Sequence, residues 1–239
     1  MEHLNRIGVA RIRTPHPEQA AAFLRQHLWC EPVERGQTAV RSGGFEMEFV
    51  HWDGALDSCA PDAMLCGLRH IALEADDIHE ALARCRAQGL RLQTAPDGGP
   101  RLSQKVYGMG LRYFNILTEF GVVIEVTEKH PGSAPKAERP VWGLGHVGIQ
   151  VPELAGSLRF YEELGFRQDF APVKNETPDG PVDCCMVTRA GLTLELYAFT
   201  RYADAPVQTH PAFSELVISG LQNGVRGPAG EWLGKAESK

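Results

Sequence analysis

A chain of 239 residues is long enough to bury a substantial core and falls between one and two domains of ordinary size. Lys and Arg number 24 against 30 Asp and Glu, a formal charge of −6 with the signs interspersed, which argues against a surface built to neutralise nucleic-acid phosphates. Hydrophobic residues at 43% and charged residues at 23% exclude disorder as the main state, and no apolar run approaches the ~20 residues that span a bilayer. The opening Met1-Glu2-His3-Leu4-Asn5-Arg6 lacks the basic and then apolar layout of a secretion signal, so a cytoplasmic location is expected. Six cysteines, at 30, 59, 66, 85, 184 and 185, form no Cys-x-x-Cys pair and are expected to be reduced thiols.

In chain order the sequence repeats one layout. Leu4-Asn5-Arg6-Ile7-Gly8-Val9 is a short strand-like run, and helical spacing of apolar residues follows from Pro17 to Trp29. A final strand comes at Phe45-Glu46-Met47-Glu48-Phe49-Val50. The second unit opens with Leu68-Arg69-His70-Ile71-Ala72-Leu73, continues as a helix from Asp77 to Gln88 and closes with Gly121-Val122-Val123-Ile124-Glu125-Val126. The third opens with Leu144-Gly145-His146-Val147-Gly148-Ile149, has a helix from Glu153 to Leu164 and closes with Gly191-Leu192-Thr193-Leu194-Glu195-Leu196-Tyr197. Pro17 with Glu18, Asp76-Asp77 and Pro152 with Glu153 supply helix starts, and Gly89 and Gly165 supply left-handed stops.

Each unit thus reads βαβββ. A fourth opening strand, Phe213 to Ser219, has no room to finish before Lys239, so its last strand is expected to be missing. The expected architecture is α+β, about three and a half modules forming curved mixed sheets around a metal-binding cleft. The boundaries are 1–58, 59–130, a proline-bounded linker at 131–140, 141–200, and a truncated fourth module at 201–239, with a second break from Asp53 to Asp62.

Alternation along a strand sends successive side chains to opposite faces. In the third unit Val147 and Ile149 suit the helix-covered face, while His146, Gly148 and Gln150 face the other way. The same parity exposes His70 in the second unit, Glu125 on its last strand and Glu195 on the last strand of the third. If these two units pair, His70, Glu125, His146 and Glu195 converge as a metal-ligand set, which suits Fe(II), Mn(II), Ni(II), Co(II) or Zn(II) better than Ca²⁺. The first unit aligns Arg6 with the histidines and keeps Glu48, a pair expected to form a salt bridge in place of a metal site, and the fourth has Glu215. Pairing of units two and three is therefore the expected arrangement.

The repeated units resemble the vicinal oxygen chelate superfamily, which includes glyoxalase I, methylmalonyl-CoA epimerase, extradiol dioxygenases and bleomycin or fosfomycin resistance proteins. The resemblance is carried by Leu144-Gly145-His146-Val147-Gly148-Ile149-Gln150-Val151 with Ser157 to Phe166, and by Gly67 to Glu74. It implies a divalent metal on His70, Glu125, His146 and Glu195, and a lyase or isomerase that chelates a small oxygenated substrate, with Glu125 or Glu195 moving a proton. It also implies two alternatives. One is an Fe(II) ring-cleaving dioxygenase using His70, His146 and Glu195; the other is a metal-free drug- or metabolite-binding resistance protein. Against the dioxygenase, the stretch Cys184 to Leu194 has neither the His nor the Tyr-x-x-x-Pro run of that branch.

Module pairing in this superfamily implies a homodimer. Arg101, Lys105 and Arg112 are candidates to meet an anionic group at the cleft rim, Tyr197 shares the cleft parity of Glu195, and His210 is a candidate proton donor. Gly108-Met109-Gly110 is not placed between a strand and a helix start, so it reads as a turn.

Overall fold

The computed structural model describes residues 7–34, 36–54, 65–128, 141–177, 180–202 and 211–235. Arg6, His3, Cys59, His130, His210, the linker at 131–140 and most of the 53–62 break lie outside them. The first unit contains β1 (Gly8–Thr14), α1 (Pro17–Leu28), β2 (Glu31–Val33), β3 (Gly36–Ser42) and β4 (Phe45–His51). The second has β5 (Gly67–Ala75), α2 (Ile78–Ala87), β6 (Leu92–Gln93), β7 (Arg101–Ser103), β8 (Leu111–Leu117) and β9 (Val123–Glu128). The third has β10 (Val141–Gln150), α3 (Leu154–Glu163), β11 (Arg167–Gln168), β12 (Val173–Thr177), β13 (Gly180–Arg189) and β14 (Leu192–Phe199). The last has β15 (Phe213–Ile218), β16 (Val225–Arg226) and β17 (Trp232–Lys235).

The helices begin where their first turns are capped. Asp77 Oδ1 accepts from the backbone N–H groups of His79 and Glu80, both at 2.9 Å, and the Glu153 carboxylate accepts from Gly156 N–H at 2.6 Å. Gly89 and Gly165 follow the ends of α2 and α3 at φ +72 and +86, while α1 stops on Trp29 at φ 54. The three helices bury Leu24, Leu28, Ile78, Leu82, Leu158 and Tyr161 in a core that runs between the two sheets.

Units one and four share a seven-stranded sheet, β16-β17-β15-β1-β4-β3-β2, and units two and three share a ten-stranded one with the order β11-β13-β14-β10-β5-β9-β8-β6 at its centre. The pairing of units two and three takes place within one chain, through antiparallel β5 and β10.

Two sequence expectations need correction. The first strand is Gly8–Thr14 rather than Leu4 to Val9. The fourth unit does possess a last strand: β17 runs parallel to β15, as β4 does to β1, β9 to β5 and β14 to β10. What this unit lacks is the helix, which a Gly-rich connection through β16 replaces. It is tied to the third unit by a fully buried pair, Tyr161 donating its phenolic hydrogen to Glu231.

Candidate metal centre

The register across four central strands builds the site. His70 on β5 lies directly opposite Gly148 on β10, and His146 lies opposite Ala72. Glu195 on β14 pairs with Gly148, and Glu125 on β9 pairs with Ala72. Each small residue is thus flanked by an imidazole on one side and a carboxylate on the other, and two such rows run antiparallel beside each other.

The small residues are required. A Cβ on Gly148 would stand 2.0 Å from His70 Cε1 and 2.3 Å from its Nδ1 and Nε2, so the His70 ring occupies the space that a side chain would need. Gly145 is the extra residue of a bulge in β10, and a Cβ there would come 2.8 Å from Thr127 Oγ1.

The four predicted side chains come together. His70 Nε2 and His146 Nε2 are 3.1 Å apart, Glu195 Oε2 is 3.3 Å from the first and 3.5 Å from the second, and Glu125 Oε1 is 3.3 Å from His146 Nε2. His70, His146 and Glu195 each offer one ligand atom within 4.8 Å of the others, the group among the described residues able to hold an ion, and Glu125 joins this trio through His146. Donor atoms held at about 2.1 Å from a common centre lie about 3.0 Å apart at right angles and about 3.4 Å apart at tetrahedral angles. The observed separations have that scale, and the mixed nitrogen and oxygen set fits a borderline divalent cation.

In the metal-free site the charges hold one another. Burial opposes a charge on His146, but the hydrogen bonds and charges of Glu125 and Glu195 outweigh it and push the imidazole up to about 9. Burial would likewise raise Glu195, yet His146 and His70 together hold its carboxyl well below the usual carboxylate range. His146 is completely buried, and its Nδ1 has no hydrogen-bond partner among the described residues.

His70, Glu125 and Glu195 line a cavity of about 560 Å³. Val106, Leu111, Cys184 and Met186 form a small apolar cluster with Tyr107 and Phe170, joining units two and three, and Leu111 and Cys184 also line the cavity. Lys105 Nζ donates to the Lys174 carbonyl at 2.7 Å across the same seam. The Gly108–Gly110 stretch follows a 3₁₀ turn in this seam, with both glycines at positive φ. Burial pushes Tyr113 up to about 12 and raises Tyr197 as well, so both phenols facing the cavity are protonated donors at neutral pH. Cys184 and Cys185 face opposite sides of β13, and burial pushes the Cys185 thiol up to about 11, as it does Cys85.

Of the three basic residues expected at the rim, Arg101 lines the cavity. Lys105 and Arg112 do not: Lys105 is used in the seam, and Arg112 faces Glu128 at 3.4 Å. Alternation along β5 did not bring out Arg69, which lines the cavity together with its neighbour His70 because β5 bulges there.

The equivalent place in the seven-stranded sheet is filled by an ion-pair triad. Arg11 pairs with Glu48 in the register that Gly148 has with Glu195, and lies opposite Glu215 as Gly148 lies opposite His70. Its guanidinium donates to Glu48 at 3.0 Å and to Glu215 at 2.9 Å. The first-unit position that matches the histidines is therefore Val9, not Arg6, and Glu48 pairs with Arg11.

A family model described as the Glyoxalase/Bleomycin resistance protein/Dioxygenase superfamily matches residues 3–126, just over half of the chain. No curated protein sequence matches it. Among solved structures, a glyoxalase I variant from Zea mays aligns over 95% of this chain and 92% of its own, with 15% identity and a TM-score of 0.65. Glyoxalase I from Zea mays aligns over 90% and 74%, with 18% identity and a TM-score of 0.62. A proposed dioxygenase from Bacillus subtilis aligns over 91% and 70%, with 12% identity and a TM-score of 0.56. At such identities the likeness is one of fold. Together with the match of the family model, it gives one conclusion: this chain belongs to the Glyoxalase/Bleomycin resistance protein/Dioxygenase superfamily.

Proposed function

We propose that the protein is a divalent-metal-dependent lyase or isomerase of the glyoxalase or epimerase kind, with His70, Glu125, His146 and Glu195 holding the metal and a small oxygenated molecule as substrate. The observation that supports it is the meeting of side chains from four strands beside a cavity: His70, His146 and Glu195 lie 3.1 to 3.5 Å from one another, and Glu125 lies 3.3 Å from His146. Bound there, Fe, Ni, Co, Zn or Mn supplies Lewis acidity to two adjacent substrate oxygens.

The protein's own groups then divide the work. Glu195 is gripped by two imidazoles and serves as a fixed ligand, whereas Glu125 contacts His146 alone of the two and is the better placed to carry a proton between substrate carbons. Tyr113 and Tyr197 line the cavity, and each phenol offers a hydrogen to a substrate oxygen.

Proton exchange at the carbon beside a carbonyl, followed by NMR in deuterated buffer over a panel of small 2-oxo and 2-hydroxy compounds, tests this reading. Glu125→Gln, which removes a charge but keeps a ligating amide oxygen, is expected to bind metal more weakly, to be saturable with added metal, and then to lose about 10²- to 10⁴-fold in exchange rate, while Glu195→Gln, which disturbs both imidazoles, binds metal still more weakly. Equal exchange rates in wild type and Glu125→Gln would remove the proton-carrier role.

A second reading has support in the trio His70, His146 and Glu195, two imidazoles and one carboxylate, the set suited to an Fe(II) dioxygenase. Oxygen uptake with catechol by the iron-loaded protein separates the two. A cytoplasmic homodimer is part of the proposal, and the four residues come together within one chain through β5 and β10. No helix among the described residues is long and apolar enough to cross a membrane.

A further inference from the structure

We propose that Arg69 is an anion anchor beside the metal centre, and that the substrate is accordingly a small oxygenated carboxylic acid with an apolar substituent. The inference rests on the metal-enzyme reading for the substrate's chelating oxygens, but the anchor itself stands on separate observations. Gly148 pairs with His70 and Ile149 pairs with Leu68, so Arg69 is the unpaired extra residue of a bulge in β5. Regular alternation would turn Arg69 to the side opposite His70; the bulge brings both into the cavity.

No described carboxylate neutralises the guanidinium. Its charge acts on the neighbouring Tyr197 phenol, opposing the rise that burial imposes, and Tyr197 in turn stacks on His70 with ring centroids 5.9 Å apart and planes at 24°. Arg69 Nη1 is buried without a hydrogen-bond partner. The two carboxylates on the cavity floor, Glu125 and Glu195, are engaged with the imidazoles, and Arg69 forms no ion pair among the described residues. A guanidinium cannot shed its charge in a protein, and a buried charged donor without a partner is costly. Arg69 lines the cavity, and an anionic oxygen arriving there with the substrate would give its charge the partner that no described carboxylate provides.

The rest of the cavity narrows the class. Leu102, Leu111, Val182 and Phe199 offer an apolar wall, and about 560 Å³ accommodates a small molecule with one ring or a branched chain.

The test uses mandelate and its neutral amide, mandelamide, titrated calorimetrically into full-length wild type, Arg69→Met and Arg69→Lys, each with and without metal. The metal-free titrations isolate the anchor, because a carboxylate could also reach the metal. Metal-free wild type is expected to favour mandelate over mandelamide by about tenfold or more, because a hydrogen bond between two charged groups is stronger than one to a neutral group. Arg69→Met is expected to lose the preference, and Arg69→Lys to keep part of it. Equal binding of the two probes to metal-free wild type, failure of both to bind it, or a preference unchanged in Arg69→Met would overturn the proposal. A preference that depends on Arg69 in a protein that takes up no metal would sustain the anchor and sink the metal-enzyme reading, so the two fail separately.

Discussion

Gly148→Ala is expected to abolish tight metal binding while leaving the protein folded. The added methyl group would fall 2.0 to 2.3 Å from three atoms of the His70 ring, far inside van der Waals contact, so the imidazole has to leave. The backbone at Gly148 lies in a strand and carries no positive φ, so alanine is compatible with it. The substitution therefore acts as the removal of a ligand from a distance. Loss of an outer hydrogen-bond partner typically costs about 10- to 100-fold in metal affinity, and displacement of a ligand should cost at least the upper figure. Competition with a chromophoric chelator measures the affinity, and circular dichroism with a thermal scan checks the fold. A Gly148→Ala protein that binds metal like wild type would show that His70 is not held by the geometry described.

Metal affinity is expected to climb about tenfold per pH unit from near neutrality to about pH 9 and then level off. His146 in the metal-free site is pushed up to about 9 by Glu125 and Glu195, against an ordinary value of 6.5, so a proton must leave before its nitrogen can bind a cation. Metal-free stability moves the other way. The raised His146 contributes stability that is complete below about 6.5 and lost as pH rises through about 9. The depressed Glu195 contributes stability that is present above its ordinary 4.5 and lost as pH falls toward its lowered value. The empty cluster thus stabilises the fold most between about 4.5 and 6.5, and the metal-loaded one at higher pH. Calorimetric titrations in buffers of different ionisation enthalpy would reveal the released proton; a metal affinity independent of pH would contradict it.

The four clustered residues are legible because strand parity and repetition act together. His70, His146, Glu125 and Glu195 occupy equivalent places on alternating strands, and parallel pairing of the first and last strands turned those places into neighbours. The small residues 72 and 148 stand in the same repeats, two positions after each histidine, and their purpose became visible once the cross-strand register was known.

Parity failed at bulges. Arg69 escaped it because one unpaired residue changes the face of a side chain, and nothing in Leu68-Arg69-His70 marks the irregularity. The first unit was misaligned by three residues because Leu4 to Val9 mimics the apolar spacing of the other openings. The distance to the helix carries the better signal: His70 precedes its cap Asp77 by seven residues and His146 precedes Glu153 by seven, and seven before His16 is Val9. The fourth unit's last strand, Trp232–Lys235, is short and contains a glycine, so it gives little strand signal without its partner β15.

The most direct measurement is elemental analysis of the protein purified without chelators, run beside a His70→Ala, His146→Ala double variant whose fold is verified by circular dichroism. The account predicts a stoichiometric divalent transition metal in the wild type and none in the variant. A wild type that carries no metal, and takes up none when incubated with iron, nickel, cobalt, zinc or manganese, would contradict it.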